Sequence, residues 1–163
     1  MSRLLLLAAA TLLATPAAAQ ITRIKSANPN ALILDGAKVA AGSELYYLSG
    51  QLAAPLDPAK TTTVDDYGDT KTQTLSVLKK IKTQLEANGY TMADIFKLTL
   101  FVAADPKTGK MDFAGANAGF KEYFKTAENP ETVARSTFQV ANLAGPQYLI
   151  EIEAIAAKKP AKK

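Results

Sequence analysis

The segment from Leu149 to Ala157 alternates in hydrophobicity, and this alternation predicts a β-strand. One face of the strand is apolar and is predicted to face a core; its members are Ile150, Ile152, Ala154 and Ala156. The other face is mixed, because it carries Glu151, Glu153 and Ile155. A single strand is not stable by itself, so this segment requires a β-sheet around it.

A second alternating segment runs from Ala134 to Val140, and Gly145-Pro146 forms a turn signal between the two. One of its faces carries Arg135, Thr137 and Gln139, and the other carries Ser136, Phe138 and Val140. If the two strands pair as a hairpin, Arg135, Thr137 and Glu151 converge on one surface. From the pattern alone, this surface is either a water-facing sheet with an ordinary cross-strand ion pair or a polar functional site.

The clearest helix pattern extends from Asp69 to Asn88, with Asp69 as the predicted N-cap and Gly89 as the C-terminal stop. The apolar stripe predicted to face the core consists of Leu75, Leu78, Ile81 and Leu85. The lysines predicted to be solvated are Lys79, Lys80 and Lys82. The next segment, Ile95 to Val102, alternates like a strand. The face predicted to point inward consists of Phe96, Leu98, Leu100 and Val102. The opposite face, predicted to be half-buried, consists of Ile95, Lys97, Thr99 and Phe101.

The remaining segments complete an α+β pattern. They are an irregular lead-in from Ile21 to Ala31, strands from Leu32 to Gly42 and Leu45 to Ser49, a loop or lid from Gln51 to Tyr67, and a helix from Met111 to Phe124. This order predicts a mixed β-sheet with two helices on one face. The uncovered face would retain apolar residues, namely Ile95, Phe101, Leu149 and Ile155, so we expect the chain to self-associate.

The two ends of the chain differ from its centre. Residues 1–19 have a basic start at Arg3, a short apolar run and Ala17-Ala18-Ala19, which predicts a signal peptide cleaved after Ala19 and a periplasmic or secreted protein. Stable membrane insertion is not expected after cleavage; the alternative is an uncleaved anchor. One domain is predicted for residues 20–157, followed by a solvated basic tail at residues 158–163.

The composition removes several kinds of chemistry, because the chain contains no Cys and no His. Ser-His-Asp and Cys-His nucleophilic sites, His- or Cys-ligated zinc and thiol redox chemistry are therefore excluded within one chain. No metal or cofactor site is expected, and acid–base work falls to Asp, Glu, Lys, Tyr, Arg, backbone and water. The net charge of +4 is concentrated in the lysine-rich tail, so no nucleic-acid partner is expected.

Several ordered motifs together resemble one known family. They are Tyr47-Leu48-Ser49-Gly50-Gln51, Asn117 with Tyr123-Phe124, Ala134-Arg135-Ser136, Val140-Ala141 with Leu143, and the strand from Ile150 to Ala156. This set resembles the Rid family, the reactive intermediate deaminases also called the YjgF or L-PSP family. The resemblance covers residues 39–157, which is almost the whole predicted mature chain.

The resemblance implies a chorismate-mutase-like YjgF fold and a homotrimer with an inner barrel and three sites between subunits. It also implies hydrolytic deamination of small 2-imino or enamine acids to 2-oxo acids and ammonia, without a cofactor. Arg135 would bind the substrate carboxylate, Glu151 would orient or activate water, and Gly50, Asn117 and Thr137 would contribute to the substrate pocket. A planar guanidinium suits this role because it matches a carboxylate through two parallel hydrogen bonds.

The sequence also departs from the family pattern. Thr137 stands where the family commonly has Cys, Val133 stands where it often has Pro, and residues 34–37 replace its Gly-Pro-Tyr element. Two further functions therefore stay open: an exported, non-catalytic trimer that binds small carboxylates or acts as a holdase-like partner, and the ribonuclease activity implied by the family's older name. The absence of His and of a basic stripe outside the tail disfavours the ribonuclease.

Overall fold

The computed structural model describes residues 20–160, so the predicted signal peptide and residues 161–163 lie outside the described residues. The helices are α1 (Thr70–Ala87) and α2 (Phe113–Lys121), and single 3-10 turns lie at Val64–Asp66 and Met92–Asp94. The strands are β1 (Ile21–Ile24), β2 (Gly36–Val39), β3 (Glu44–Leu52), β4 (Ile95–Val102), β5 (Ala104–Asp105), β6 (Lys110–Met111), β7 (Ala134–Gln139) and β8 (Ile150–Lys158). In this described range, no helix combines the length and the apolar character needed to cross a membrane.

The main sheet has four strands in the order β3-β8-β4-β7. Strand β8 is antiparallel to both β3 and β4, whereas β7 is parallel to β4. The predicted hairpin between the last two strands is therefore wrong, because β4 lies between them. The parallel β4–β7 pair needs a crossover, which α2 supplies. The predicted mixed sheet is confirmed.

Helices α1 and α2 cover one face of this sheet and enclose the core. The side chain of Asp69 accepts a hydrogen bond from the amide of Thr72, and Gly89 has a positive φ of 72°, so both predicted ends of α1 are confirmed. The stripe of α1 is shifted slightly from the prediction: Val77 is fully buried, whereas Leu75 is only half-buried. Helix α2 begins two residues later than predicted, because Met111 pairs with Ala104 in a short strand.

Strand β4 departs from simple alternation at its first residue. A register shift occurs between Ile95 and Lys97, and Ile95 is fully buried in the core instead of half-buried as predicted. A β-bulge places two residues opposite one and changes which face the first side chain joins. Beyond the bulge, Leu98, Leu100 and Val102 are buried as predicted.

The N-terminal region is more regular than predicted. Strands β1 and β2 form an antiparallel pair, and Leu34 makes an isolated parallel bridge to Ala134. The lead-in is therefore partly a strand, and the strand predicted from residue 32 to residue 42 is interrupted. A tertiary contact fixes β1, since Arg23 Nε lies 3.1 Å from Glu131 Oε2 and donates to the carbonyl of Thr132 at 3.1 Å.

Polar side chains of α1 hold both ends of the loop that follows β3. Ser76 Oγ accepts from the Ala54 amide at 2.9 Å, and Lys80 donates to the Leu52 carbonyl at 2.8 Å. At the other end, Gln73 donates to the carbonyl of Gly68 at 3.1 Å. Lys80 is half-buried by this contact and is not solvated as predicted.

The face of the sheet opposite the helices stays open in the single chain. Tyr47 is 66% exposed and Phe138 is 44% exposed, and Phe101 and Ile155 lie half-buried beside them. Two residues predicted for this face, Ile95 and Leu149, are instead fully buried.

The last strand extends one residue into the predicted basic tail. Lys158 ends β8, with its ammonium 4.0 Å from the centre of the Tyr90 ring. It also donates to the Asn88 carbonyl at 3.0 Å, so it caps the C-terminus of α1. Lys158 is therefore part of the folded domain, whereas Lys159 is exposed.

Candidate functional site

Strand β7 directs two of the predicted site residues toward the helices. Leu98 of β4 pairs with Arg135, and Leu100 pairs with Thr137. Cross-strand partners share a face, so Arg135 and Thr137 lie on the face of these two buried leucines. As an edge strand, β7 presents this row beside α2.

One row of side chains on helix α2 contacts the guanidinium of Arg135. The carbon Cζ lies 4.6 Å from the ring centre of Phe120 and 5.8 Å from that of Phe113. Between these rings, Asn117 Oδ1 accepts a hydrogen bond of 2.6 Å from Arg135 Nη2. Residues 113, 117 and 120 share a helix face because they are four and three positions apart.

The guanidinium is buried without a full set of partners. Its Nε and Nη1 atoms are inaccessible and have no hydrogen-bond partner among residues 20–160, and no carboxylate in this range forms an ion pair with it. Burial lowers the pKa of Arg135 to about 10, so the group is still charged at neutral pH. A buried, unpaired charge is unfavourable, and an anionic ligand would relieve it.

One complete edge of the guanidinium has no hydrogen-bond partner in the described chain, although Nε and Nη1 are covered there by protein atoms. Nη2 carries two hydrogens, one beside Nε and one beside Nη1, and Asn117 uses only one of them. Whichever hydrogen Asn117 takes, the other completes a two-donor edge of the kind that binds a carboxylate. Thr137 Oγ1 is also buried on this face without a partner in the described chain. The arrangement has the chemistry of a carboxylate site.

Glu151 and Gly50 form a second group elsewhere. Glu151 of β8 pairs with Phe101 on one side and with Leu52 on the other. A Cβ atom added to Gly50 would lie 2.7 Å from Cδ of Glu151, closer than real side chains approach. Gly50 does not have a positive φ, so the Glu151 side chain beside it, and not backbone geometry, limits what a side chain at this position would meet.

The sheet separates the two groups, so the predicted convergence within one chain is wrong. Leu98 pairs with both Arg135 and Ala154, which places Arg135 on the helix-covered face. Glu151 is an odd number of residues from Ala154 and therefore projects from the open face. A single chain thus contains two partial sites: Arg135 with Asn117 and Thr137, and Glu151 with Gly50.

The sequence reasoning missed Phe113 and Phe120 as parts of the arginine group. Both lie within the predicted second helix, and Phe113 is 44% exposed beside Arg135. The spacing 113, 117 and 120 could have revealed the shared row. Among residues 20–160, no group of three or more His, Cys, Asp and Glu side chains is arranged to hold a metal ion.

Comparison with known proteins assigns the chain to a family. The family model described as Endoribonuclease L-PSP matches residues 37–158. The chain belongs to this family, the Rid or YjgF family. The resemblance seen in the sequence is thereby confirmed, over nearly the same residues.

Curated Rid-family proteins resemble the chain over most of its length. A RutC family protein of Pyrococcus horikoshii is 38% identical over 121 residues, which cover 74% of this chain and 84% of that protein. A 2-iminobutanoate/2-iminopropanoate deaminase of Salmonella typhimurium is 39% identical over 111 residues, 68% of this chain and 77% of the relative. The family therefore includes imine deaminases.

Solved structures confirm the YjgF fold. A Rid-family protein of Yersinia pestis has a TM-score of 0.66 at 23% identity, covering 86% of this chain and 100% of that chain. The Escherichia coli protein TdcF, whose structure contains bound serine, has a TM-score of 0.55 at 31% identity over 74% of this chain and 85% of its own.

Proposed function

We propose that this Rid-family protein hydrolyses small 2-imino acids, or their enamine tautomers, to 2-oxo acids and ammonia. The observation that carries the proposal is the buried guanidinium of Arg135, which has a free two-donor edge and no carboxylate partner in the described chain. The naming of similar relatives as 2-iminobutanoate/2-iminopropanoate deaminases supports the same reaction class.

In this proposal Arg135 binds the carboxylate and Asn117 orients the guanidinium. A hydrogen bond to a charged group contributes about 1.5–3 kcal/mol, which is enough to select acids over neutral imines. Water adds to the C=N carbon, and Glu151 accepts one of its protons and returns it to the nitrogen. The hydroxyl proton of the resulting carbinolamine then passes to its amino group through the same carboxylate, the C–N bond breaks, the C=O bond forms, and ammonia leaves. Imine hydrolysis needs little more than positioning and modest proton transfer.

We further propose that the site is completed between subunits of a homotrimer. Arg135 and Glu151 project from opposite faces of one sheet, so one reaction centre needs Glu151 and Gly50 from a second copy. The exposed aromatic side chains on the open face, including Tyr47 and Phe138, support self-association, because such apolar area is unfavourable in water. Sedimentation of the purified protein tests this arrangement, and a monomer with full activity would contradict it.

The catalytic proposal is tested with a protein that comprises residues 20–163. An amino-acid oxidase generates imino acids in the same solution, and their decay is followed. The wild-type protein should accelerate decay, and Arg135→Met should abolish the acceleration. Lys121→Met is a matched control, because it removes an exposed positive charge from α2 without touching the site. No acceleration by the wild-type protein across apolar, polar and aromatic imines would refute the deaminase.

The alternative is a carboxylate-binding protein without catalysis, or a holdase-like partner. The free edge of Arg135 would serve carboxylate binding equally well, and residues 34–37 lack the Gly-Pro-Tyr element common in the family. Arg135-dependent binding of 2-oxo acids without imine turnover would favour the binding protein. We do not propose a ribonuclease, because the chain has no His to act as acid or base.

Export is part of the proposal and rests on residues 1–19. A basic start, a short apolar run and small residues before Gln20 are typical of a cleaved signal. Expression of the full chain followed by fractionation and mass analysis should give an exported protein that begins at Gln20. An intact N-terminus in the cytoplasm would contradict the proposal.

A further inference from the structure

Thr137 carries a buried hydroxyl that nothing in the described chain satisfies. It lies two residues beyond Arg135 on β7 and faces the same side of the sheet. Its cross-strand neighbour, Leu100, is fully buried and has no polar side-chain atom to offer. On its other side β7 is the edge of the sheet, where the described chain makes only the bridge from Leu34 to Ala134, three residues away. An unpaired buried hydroxyl costs about 1–3 kcal/mol, so a partner from outside the chain would stabilise it.

The hydroxyl and the guanidinium are separate points of contact. Successive residues on one face of a strand are about 6.5 Å apart. The long side chain of Arg135 reaches away from the sheet to Asn117 and the ring of Phe120 on α2. The hydroxyl of Thr137 stays one bond from its Cβ, next to the sheet. A ligand whose carboxylate occupies the free edge of Arg135 must use another group to reach Thr137.

We propose that Thr137 determines substrate specificity by binding a hydrogen-bonding group on the substrate side chain. A hydroxyl both donates and accepts, so it suits an amide or hydroxyl side chain. The preferred substrates are then 2-imino acids with polar, uncharged side chains. This inference rests on the proposed deaminase function and names the substrate class of the same site. It gives the unpaired Oγ1 of Thr137 a defined partner.

The test compares imino acids of matched shape and different polarity. Leucine and asparagine form one pair and methionine and glutamine another, each oxidised in situ to its imine. Wild-type kcat/KM should favour the polar member. Thr137→Val preserves the shape and removes the hydroxyl, so the ratio of kcat/KM for the polar member to kcat/KM for the apolar member should fall about tenfold. Thr137→Ser retains the hydroxyl and should keep the preference.

Failure of this inference is distinguishable from failure of the deaminase. An equal loss for both members in Thr137→Val would place the hydroxyl on the carboxylate, overturning the inference while the deaminase stands. No change for either member would also overturn it. If the wild-type protein shows no turnover at all, the deaminase fails, and calorimetry with the matching 2-oxo acids decides the inference. Equal affinities of Thr137→Val and wild type for the polar 2-oxo acids would then refute it.

Discussion

Asn117 holds Arg135 through a single hydrogen bond of 2.6 Å from Nη2 to Oδ1, and it leaves the rest of the guanidinium free. Asn117→Asp would replace this neutral acceptor with a carboxylate of nearly the same shape. The new charge would pair with Arg135 and compete with the substrate carboxylate. We expect at least a tenfold rise in KM or in the Kd for 2-oxo acids, together with a higher Tm.

Asn117→Ala is the matched comparison for that variant. It removes the acceptor without adding a charge, so ligand affinity should fall less than in Asn117→Asp. If the two variants weaken binding equally, competition by the new carboxylate is not the cause.

Gly50→Ala should separate the proposed proton transfer from carboxylate binding. The added Cβ would collide with the Glu151 side chain, whose end can rotate away at little cost in stability. Glu151 would then be displaced, while Arg135 keeps its hydrogen bond to Asn117, which does not involve Gly50. We expect kcat to fall at least tenfold, with the Kd for 2-oxo acids and the Tm nearly unchanged. A wild-type kcat would exclude a catalytic role for Glu151.

Gln73 is a buried link between three parts of the chain. Its amide donates to the carbonyls of Gly68 and Gln147 at 3.1 and 3.0 Å, and it accepts from the Leu149 amide at 2.9 Å. Gln73→Leu would leave these backbone groups unpaired, and each one that stays buried would cost about 1–3 kcal/mol in the free energy of unfolding. We expect a lower midpoint in urea denaturation.

Gln73→Glu keeps the acceptor for Leu149 but loses both donors. It should lower kcat while leaving the Kd for 2-oxo acids unchanged, because Leu149 immediately precedes the strand that carries Glu151. A variant that is less stable but has wild-type kcat would limit Gln73 to a structural role.

Tyr90 predicts a pH dependence of stability at high pH. Burial, and then the hydrogen bond to Glu44, raise the pKa of Tyr90 from an ordinary value of 10.0 to about 12. A raised pKa means that its contribution to stability is complete below pH 10 and is lost as pH rises toward 12. Between these values the wild-type protein should lose more unfolding free energy than Tyr90→Phe. Parallel denaturation curves for the two proteins would contradict this.

The sequence predicts those parts of the fold that local chemistry determines. The ends of α1 follow from Asp69 and Gly89, which act on their own neighbourhood. The order of the strands cannot be predicted in this way, because nothing in the turn at Gly145-Pro146 shows that β4 will lie between β7 and β8. The bulge after Ile95 is equally hidden, since it depends on pairing with a distant strand.

The candidate site also has a part that the sequence predicts and a part that depends on distant contacts. Arg135, Asn117 and Thr137 could be chosen from the sequence, because their types and order match a family pattern, and the structure brings these three to one face. Their separation from Glu151 could not be predicted, because it follows from the strand order. The stacking of Arg135 on Phe120 depends on how the crossover helix packs over the edge strand.

The position of β8 also has a consequence for the timing of folding. Strands β3 and β4 do not pair with each other, and each finds β8 as its neighbour. Because β8 lies at residues 150–158, β3 lacks its partner until that segment has left the ribosome. Pairing between segments so far apart in sequence is slow. The main sheet is therefore completed only once β8 has emerged, long after β3 has been synthesised.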